Sequence, residues 1–310
     1  MSGPATRSRR EWRTVDGIVL LDKPIGMSSN QALQRVRRIY NARKAGHTGS
    51  LDPLASGVLP LCFGQATKVA GLMLEADKRY QATVALGTRT ATGDREGAVV
   101  ERRPVPALSV EAVRTVLAGF LGTSAQVPPM YSALKRAGEP LYALARRGIE
   151  VERPPRAIRI EALALLELTA ETLSFEVTCS KGTYVRTLGE DIAAKLGTTG
   201  HLAALRRTDV GGALSRLPAY PLEALEALAD DQAALDKLLL PADTVLGTWP
   251  PVTLTPTQVA AFLHGQSIAV PVPAGQEVRV YAEDGGFLGL GQAAPDGCVL
   301  RPLRLMTRNA

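Results

Sequence analysis

A single carboxylate in a stretch rich in glycine and proline is the strongest candidate for chemistry in this sequence. Asp52 lies within residues 46–60, which hold three glycines, two prolines and one histidine between two apolar segments. Glycine permits backbone angles that other residues resist, and Pro53 fixes the φ angle directly after Asp52. Loops of this kind on a rigid scaffold commonly carry reactive side chains. A capped turn, in which Asp52 bonds its own backbone, is the structural alternative.

Two further segments supply side chains that could work with this carboxylate. Tyr80 follows two basic residues, and Arg186 ends a Lys-Gly-Thr-Tyr-Val-Arg segment. A guanidinium favours the charged form of a neighbouring carboxylate, and its planar fork holds a carboxylate in a more defined geometry than lysine does. An ionised aspartate can then act as a nucleophile. Taken singly, Tyr80 could be a core residue and Arg186 a surface charge.

The motifs of several other enzyme classes are absent from the sequence. It has no GxGxxG after a strand, no GxxxxGK[ST] and no HExxH. Its three cysteines lie far apart, and no Cys/His pair has the spacing of zinc ligands. We therefore expect no nucleotide or dinucleotide cofactor and no metal, and we expect a reducing compartment without disulfides.

Composition and charge indicate a globular protein with a polyanionic partner. The chain has 310 residues, 45% of them hydrophobic, and a net charge of +6. No apolar run approaches the roughly 20 residues that span a bilayer, and we expect no secretory signal. An excess of basic residues favours partners such as nucleic acid. Residues 1–13 are predicted to be a basic flexible tail that is solvated or contacts a polyanion; its arginines are Arg7, Arg9, Arg10 and Arg13.

The pattern of apolar residues predicts an α+β fold with a mixed sheet, because strands and helices do not alternate in βαβ order. Capped helices are predicted from Ser28 or Ser29 to Tyr40 and from Ser109 to Ala118. A helix that opens at 180–186 is predicted to end at 196, before Gly197. The other predicted strands are 17–21, 58–63, 78–86, 158–168 and 172–179, and the other predicted helices are 66–75, 141–147, 222–229, 232–239 and 257–263.

Two regions outside the sheet are expected to contact RNA. Residues 126–147 mix proline, glycine, aromatic and basic residues, which suits a surface loop that contacts RNA better than a core element. A Trp-Pro-Pro break follows position 248, and the short strands after it predict a small β module over residues 249–310. The main unit is then residues 14–248.

Four segments, taken in order, closely resemble the bacterial TruB family of tRNA pseudouridine-55 synthases. They are Gly-His-Thr-Gly-Ser-Leu-Asp-Pro-Leu-Ala-Ser-Gly at 46–57, Asp-Lys-Arg-Tyr at 77–80, Val-Pro-Pro-Met-Tyr-Ser-Ala-Leu-Lys at 127–135 and Ser-Lys-Gly-Thr-Tyr-Val-Arg at 180–186. Residues 22–26 and Leu-Arg-Arg at 205–207 fit as well. The similarity runs from about residue 17 to residue 207 and continues more weakly to the C-terminus.

The resemblance implies a fold and a reaction. It implies the pseudouridine synthase catalytic fold, a mixed and largely antiparallel sheet flanked by helices, with a small PUA-like β module at the C-terminus. It implies an isomerase that flips uridine 55 out of the T-loop of tRNA, breaks its C1′–N1 bond, rotates the base and rejoins it through C5. Such an enzyme requires no cofactor and no metal. We expect a cytoplasmic monomer that binds the T-arm of tRNA.

The resemblance also assigns roles to residues at matching positions. Asp52 is the nucleophile, Arg186 pairs with it, and Tyr80 stacks on the target base and is a candidate for proton transfer. Tyr184 and Leu205 are expected to line the uridine pocket. His47, which by itself could be an ordinary loop histidine, is expected to occupy the place that the extruded base leaves. Further expected RNA contacts are Lys23, Arg43, Lys44, Lys68, Lys135 and Arg146.

Two other functions remain open at this point. An RNA-binding or tRNA-folding module, with secondary or no catalysis, would use the basic helix over residues 35–44, the loop at 126–138 and the β module. It would not need Asp52, Tyr80 and Arg186 together. A nucleoside or glycoside hydrolase would release free base. Whether Asp52 attacks C6 or C1′, or promotes a glycal route, is not fixed by the sequence.

Overall fold

The computed structural model describes residues 12–306, so the predicted tail arginines Arg7, Arg9 and Arg10 lie outside the described residues. Arg13 lies within them and is anchored. Its guanidinium donates to the carbonyl of Tyr40 and to both carboxylate oxygens of Asp236, at 2.6–2.9 Å. The flexible tail predicted over residues 1–13 is therefore wrong for Arg13.

Eighteen strands and seven α-helices are formed by the described residues, together with short 3₁₀ turns. The first part of the chain contains β1 (Gly17–Lys23), α1 (Ser29–Ile39), β2 (Ala45–His47), β3 (Ala55–Phe63), β4 (Lys78–Leu86), β5 (Thr88–Thr90), β6 (Val99–Arg102), α2 (Val110–Ala118), β7 (Gly122–Gln126), β8 (Lys135–Arg136), β9 (Glu139–Pro140) and α3 (Leu141–Arg146). There follow β10 (Arg156–Leu168), β11 (Thr172–Cys179), α4 (Val185–Lys195), β12 (Gly200–Asp209), β13 (Tyr220–Pro221), α5 (Leu222–Ala227), α6 (Gln232–Asp236), β14 (Pro251–Leu254), α7 (Pro256–Leu263), β15 (Ile268–Ala269), β16 (Glu277–Ala282), β17 (Phe287–Ala293) and β18 (Val299–Leu305).

A nine-stranded sheet forms the centre of the molecule. Its strand order is β13-β1-β3-β12-β4-β11-β10-β7, and β2 pairs with β3. Only the β1–β13 and β3–β12 pairs are parallel. The predicted α+β class with a mixed, largely antiparallel sheet is therefore confirmed.

Helices pack on this sheet in two groups and create two cores. One core contains Val36 of α1 and Leu235 of α6 together with residues of β1 and β3. The other contains Leu188 of α4 with residues of β4, β10 and β11. Tyr80 and Leu205, on the adjacent strands β4 and β12, contact both cores. The junction between the two halves is thus where the predicted site residues lie.

Local sequence signals account for the boundaries of the main helices. Ser28 caps α1 in a capping box with Gln31, which stabilises a helix by about 1 kcal/mol. Gly197 follows the end of α4 with a φ of 81°, a left-handed conformation that suits glycine. Both features were predicted from the sequence.

Three local predictions differ from the structure. Residues predicted as a helix over 66–75 form two 3₁₀ turns, Gly64–Lys68 and Ala70–Leu74. Between them the buried, β-branched Val69 packs against Leu246, Leu290 and Met306, and this tertiary contact prevails over helix propensity. Residues 45–47 and 200–209 are strands that were not predicted. Because one strand ends at residue 47 and the next begins at residue 55, the loop around Asp52 is shorter than the 46–60 stretch.

The C-terminal residues form a separate five-stranded sheet in the order β14-β16-β17-β18-β15. It has its own core around Phe262, Val280 and Leu300. It meets the central unit at the Val69 cluster, and the ammonium of Lys68 donates to the carbonyl of Leu305 at 2.7 Å. The domain boundaries and the PUA-like assignment stay predictions.

The parallel contact between β3 and β12 depends on one glycine. Gly57 is paired with Arg207 and has a φ of 106°. A Cβ atom at this position would lie 2.1 Å from the carbonyl oxygen of Arg207, which is far inside van der Waals contact. The absence of a side chain therefore lets the two central strands approach.

We expect Gly57→Ala to destabilise the fold by about 2–6 kcal/mol, because backbone strain and overpacking each cost about 1–3 kcal/mol. Urea unfolding measures this change. Gly71→Ala is the matched control, since a Cβ there meets no atom within 4 Å and its φ is not in the left-handed region. Equal unfolding midpoints for the two variants would contradict the proposed close contact.

Candidate active site

The loop that carries Asp52 is held firmly by its neighbours. The buried hydroxyl of Ser29, at the start of α1, accepts from the amide of Leu51 at 2.7 Å and donates to its carbonyl at 3.0 Å. The carbonyl of Pro53 accepts from the amide of Gly26, and that of Asp52 accepts from the amide of Ala55. A backbone turn is therefore present, but the carboxylate of Asp52 is directed to Arg186 and not to its own turn, where the structural alternative had placed it.

Arg186 lies in the first turn of α4 and joins the Asp52 loop to two other segments. Its Nη2 is 3.0 Å from Oδ2 of Asp52, and its Nη1 is 3.5 Å from Oδ2 of Asp94. The guanidinium also donates to the carbonyls of Thr92 (2.8 Å) and Tyr131 (2.6 Å). Its side chain is 7% exposed, whereas that of Asp52 is 44% exposed. The cation is therefore fixed, and the carboxylate next to it stays accessible.

Asp94 is a site residue that sequence reasoning missed. It is buried in the turn between β5 and β6, where its Oδ1 accepts from the hydroxyl of Thr92 and the amide of Glu96. Its other oxygen faces Arg186. A buried carboxylate needs such partners, since an unpaired buried charge is costly. The polar, glycine-containing sequence of residues 87–97 indicated a hairpin but gave no sign of this pairing.

The predicted RNA-contacting segment also reaches the site. Tyr131 supplies a carbonyl to Arg186, and the side-chain amide of Gln126 binds the backbone of Tyr184 twice, at 2.8 and 3.1 Å. Tyr184 is the N-cap residue of α4. Gln126 thus fixes the start of the helix that carries Arg186.

These residues surround one cavity of about 560 Å³, a size within the usual range of ligand pockets. Its lining brings together five of the side chains predicted from the sequence, Asp52, Tyr80, Tyr184, Arg186 and Leu205. Burial raises the pKa of both tyrosine hydroxyls. At Tyr80 the guanidinium of Arg207 opposes this rise. Two aromatic rings, a carboxylate and an aliphatic side chain therefore face a common space.

His47 lies at the end of β2, on the chain that leads into the Asp52 loop. The residues that line the cavity do not include it. Its Nδ1 is buried and has no hydrogen-bond partner among the described residues. Burial lowers the pKa of His47, and the charge of Arg207 lowers it further, so the ring is neutral at physiological pH. Its predicted place in the RNA stays a prediction.

The predicted RNA contacts differ in their exposure. Arg43, Lys44, Lys135 and Arg146 are exposed, and Lys68 is half-buried. Lys23 is fully buried, and its ammonium donates to the carbonyls of Pro24 and Met27. The prediction that Lys23 contacts RNA is therefore wrong for this structure, because its side chain turns inward from a central strand.

Buried basic side chains beside the cavity are a second feature that sequence reasoning missed. Arg207 is 1% exposed, and its guanidinium donates to the carbonyls of Val58 (2.7 Å) and Gly49 (2.8 Å). Lys78 is buried with its ammonium bonded to the carbonyls of the 73–76 segment. Burial lowers the pKa of Lys78 and lowers that of Lys23 to about 8. Only the strand register, which the sequence pattern did not provide, could have located them.

Neither a metal site nor a membrane span is found in the described part of the chain. Between residues 12 and 306, no three His, Cys, Asp or Glu side chains are arranged to hold a metal ion. No helix in that range is both long enough and apolar enough to cross a bilayer.

Comparison with known proteins places the chain among pseudouridine synthases. Residues 37–185 match the model of the TruB family pseudouridylate synthase N-terminal domain. Residues 186–247 match the tRNA pseudouridylate synthase B C-terminal domain, and residues 250–306 match the pseudouridine synthase II TruB C-terminal model. The three matches follow one another along the chain with few gaps.

Relatives of full length support the same assignment. The tRNA pseudouridine synthase B of Burkholderia mallei (strain ATCC 23344) is 50% identical over 100% of both chains. The protein of that name from Nitrosococcus oceani is 51% identical over 96% of this chain and 97% of its own.

Solved structures show the fold at lower identity. The archaeal box H/ACA sRNP Nop10-Cbf5 complex contains a chain that is 24% identical, with a TM-score of 0.69, over 94% of this chain and 87% of that one. A Cbf5-Nop10-Gar1 complex gives 24% identity and a TM-score of 0.70, over 97% and 90%. With the fold and the full-length relatives in agreement, the chain belongs to the TruB family of pseudouridine synthases.

Proposed function

We propose that this enzyme converts uridine 55 in the T-loop of tRNA to pseudouridine, with Asp52 as its nucleophile. The observation that carries the proposal is the 3.0 Å pair of Asp52 and Arg186 in the cavity that Tyr80 and Tyr184 line. Relatives that are about half identical over their full length are named tRNA pseudouridine synthase B, which supports tRNA as the substrate.

The reaction is an isomerisation that needs no change in oxidation state overall. The C1′–N1 bond of uridine breaks, a C1′–C5 bond forms, a proton leaves C5, and N1 gains a proton. The detached base must stay in the pocket and rotate. The site therefore has to contact the flat faces of the base while the hydrogen-bonding edges change position. The rings of Tyr80 and Tyr184 and the side chain of Leu205 offer such non-directional contacts.

Asp52 is suited to form a transient bond with the nucleoside. Its carboxylate is partly exposed to the cavity, while Arg186 is held from four directions by Asp52, Asp94, Thr92 and Tyr131. A guanidinium that is already positioned need not reorganise as charge on the carboxylate changes. The proposal leaves attack at C6, attack at C1′ and a glycal route equally open.

A uridine within a folded T-loop must leave its stack before it can enter this cavity. Extrusion of a base costs a few kcal/mol, and stacking on an aromatic side chain returns about 1–3 kcal/mol. Stacking on Tyr80 can therefore offset much of that cost. In this proposal His47 takes the position of the extruded base in the RNA, and its neutral ring is compatible with stacking.

In our proposal, basic side chains outside the cavity contact the tRNA backbone. Arg43 and Lys44 are exposed between α1 and β2, and Lys68 lies at the contact with the C-terminal sheet. In our proposal the 126–147 loop and the PUA-like domain, residues 249–310, extend this surface along the T-arm from the catalytic domain, residues 14–248. We propose a monomer that acts in the cytoplasm.

We expect Asp52→Asn to lower the single-turnover rate of pseudouridine formation by at least about 1,000-fold, since an amide cannot act as the nucleophile. Mass-spectrometric mapping of an unmodified tRNA transcript measures product and position together. Asp236→Asn is the control, because Asp236 pairs with Arg13 and does not line the cavity. Near-normal turnover by Asp52→Asn would refute the nucleophile, and RNA binding without product by the wild type would favour a tRNA-folding function.

We expect Asp94→Asn to slow the chemical step while tRNA affinity changes little, because Arg186 loses an anionic partner away from the RNA surface. Removal of one partner from a buried ion pair also costs about 3–5 kcal/mol of stability. Single-turnover kinetics, filter binding and urea unfolding separate these effects. The control is Glu96→Gln in the same turn, which changes an exposed side chain. An unchanged rate would show that Asp94 is not needed to position Arg186.

We expect Lys44→Ala to weaken tRNA binding and to reduce the slope of log affinity against log salt by about 1, as the loss of one phosphate contact does. The rate of pseudouridine formation in tRNA that is already bound should stay the same. Lys195→Ala is the control, since Lys195 is exposed at the far end of α4, about 15 Å along the helix from the cavity. Equal slopes for both variants and wild type would exclude Lys44 from the RNA surface.

A further inference from the structure

Arg207 is a buried cation whose presence is not explained by an ion pair. It is 1% exposed, and within residues 12–306 no carboxylate lies within salt-bridge distance of its guanidinium. Burial of a charge is costly unless its donors are satisfied. The contacts that satisfy this guanidinium therefore indicate what it does.

Those contacts connect the Asp52 loop to Tyr80. Nη2 donates to the carbonyl of Gly49 in the loop, and Nε donates to the carbonyl of Val58 in β3, so the loop and the strand that follows it are bound to one side chain. Arg207 is also the cross-strand partner of Tyr80, which places the two side chains on the same face of the sheet. The positive charge of Arg207 is close enough to lower the pKa of the Tyr80 hydroxyl.

We propose that Arg207 is a positioning residue, which fixes the Asp52 loop relative to Tyr80: its guanidinium binds the loop, and its backbone lies opposite Tyr80 in the sheet. The proposal rests on the proposed function, because the position of Tyr80 matters to the reaction only if the tyrosine contacts the base or moves its proton. The two buried lysines beside the cavity do not have this geometry. Lys23 and Lys78 each bind carbonyls of their own neighbouring segment.

The charge of Arg207 also acts on the ionisation of Tyr80. Burial raises the pKa of Tyr80, the charges of Asp52 on the loop and Cys179 on β11 raise it further, and Arg207 on β12 lowers it. The other charged side chains that line the cavity are the cations Lys78, Arg156, Lys181 and Arg186 and the carboxylate Glu75. Without Arg207, the rise in the pKa of Tyr80 that burial causes is opposed less, so the pKa of Tyr80 must be higher.

Two substitutions separate the charge of Arg207 from its fork-shaped geometry. Arg207→Met removes both, and Arg207→Lys keeps the charge but lacks the planar fork that binds the carbonyls of Gly49 and Val58 together. We expect Arg207→Met to lower the single-turnover rate about 100-fold, as displacement of a reacting group by about 1 Å does, with a smaller loss for Arg207→Lys. The control is Arg206→Lys, an exposed residue paired with Asp22, with a change below about five-fold.

A second measurement needs no turnover. The protein is labelled with 3-fluorotyrosine at its seven tyrosines, and the ¹⁹F resonance of Tyr80 is assigned by its loss in Tyr80→Phe. We expect the titration midpoint of that resonance to rise by about one pH unit or more in Arg207→Met and to stay near wild type in Arg207→Lys. Filter binding of tRNA should be unchanged in both variants.

The outcomes distinguish this proposal from the proposed function. Identical Tyr80 titrations in wild type and Arg207→Met, or equal rate losses for Arg207→Lys and Arg206→Lys, would overturn the role of Arg207. The ¹⁹F result holds even if Asp52→Asn proves active. Should Arg207→Met fail to fold, Arg207→Lys carries the test, since a loss of rate with an unshifted Tyr80 titration is the result that we expect for it.

Discussion

The rest of the site depends on the contacts that the guanidinium of Arg186 makes. It lies between an accessible carboxylate, Asp52, and a buried one, Asp94, and it takes two more acceptors from the backbone. A side chain with five donors in a fixed plane can meet these demands, whereas a flexible ammonium cannot. Because the acceptors come from three separate segments, this one residue sets the distance between the loop, the β5–β6 turn and the 126–147 segment.

The sheet explains why such a precise contact can form around a polar cavity. Tyr80 and Leu205 belong to both hydrophobic cores, so they lie where the two halves of the molecule meet. The cavity opens at this junction, and two of the cations that line it, Lys78 and Arg207, donate to backbone carbonyls. The site is therefore rigid because its walls are packed into the hydrophobic cores. It is polar because cationic side chains donate hydrogen bonds to backbone carbonyls inside it.

The sequence allowed prediction of those site residues that local motifs mark. Asp52, Tyr80 and Arg186 stand in short segments with unusual composition, and all three line the cavity. Asp94 and Arg207 could not be found in this way, since their partners are set by a hairpin turn and by strand register. Lys23 was predicted at the surface because it stands at a strand end, but β1 is an interior strand and the carbonyls of Pro24 and Met27, just after it, bind the ammonium. Pattern predicts the element, and tertiary pairing decides the direction of the side chain.

The position of β12 in the sheet has a consequence for biosynthesis. This strand is inserted between β3 and β4, and its contacts with β3 join residues about 150 positions apart. A chain that emerges from the ribosome one residue at a time holds Asp52 and Tyr80 long before it holds Arg207. Until residues 200–209 appear, β3 and β4 have no strand between them. The Asp52 loop therefore lacks its contacts with Arg207 through about two thirds of synthesis.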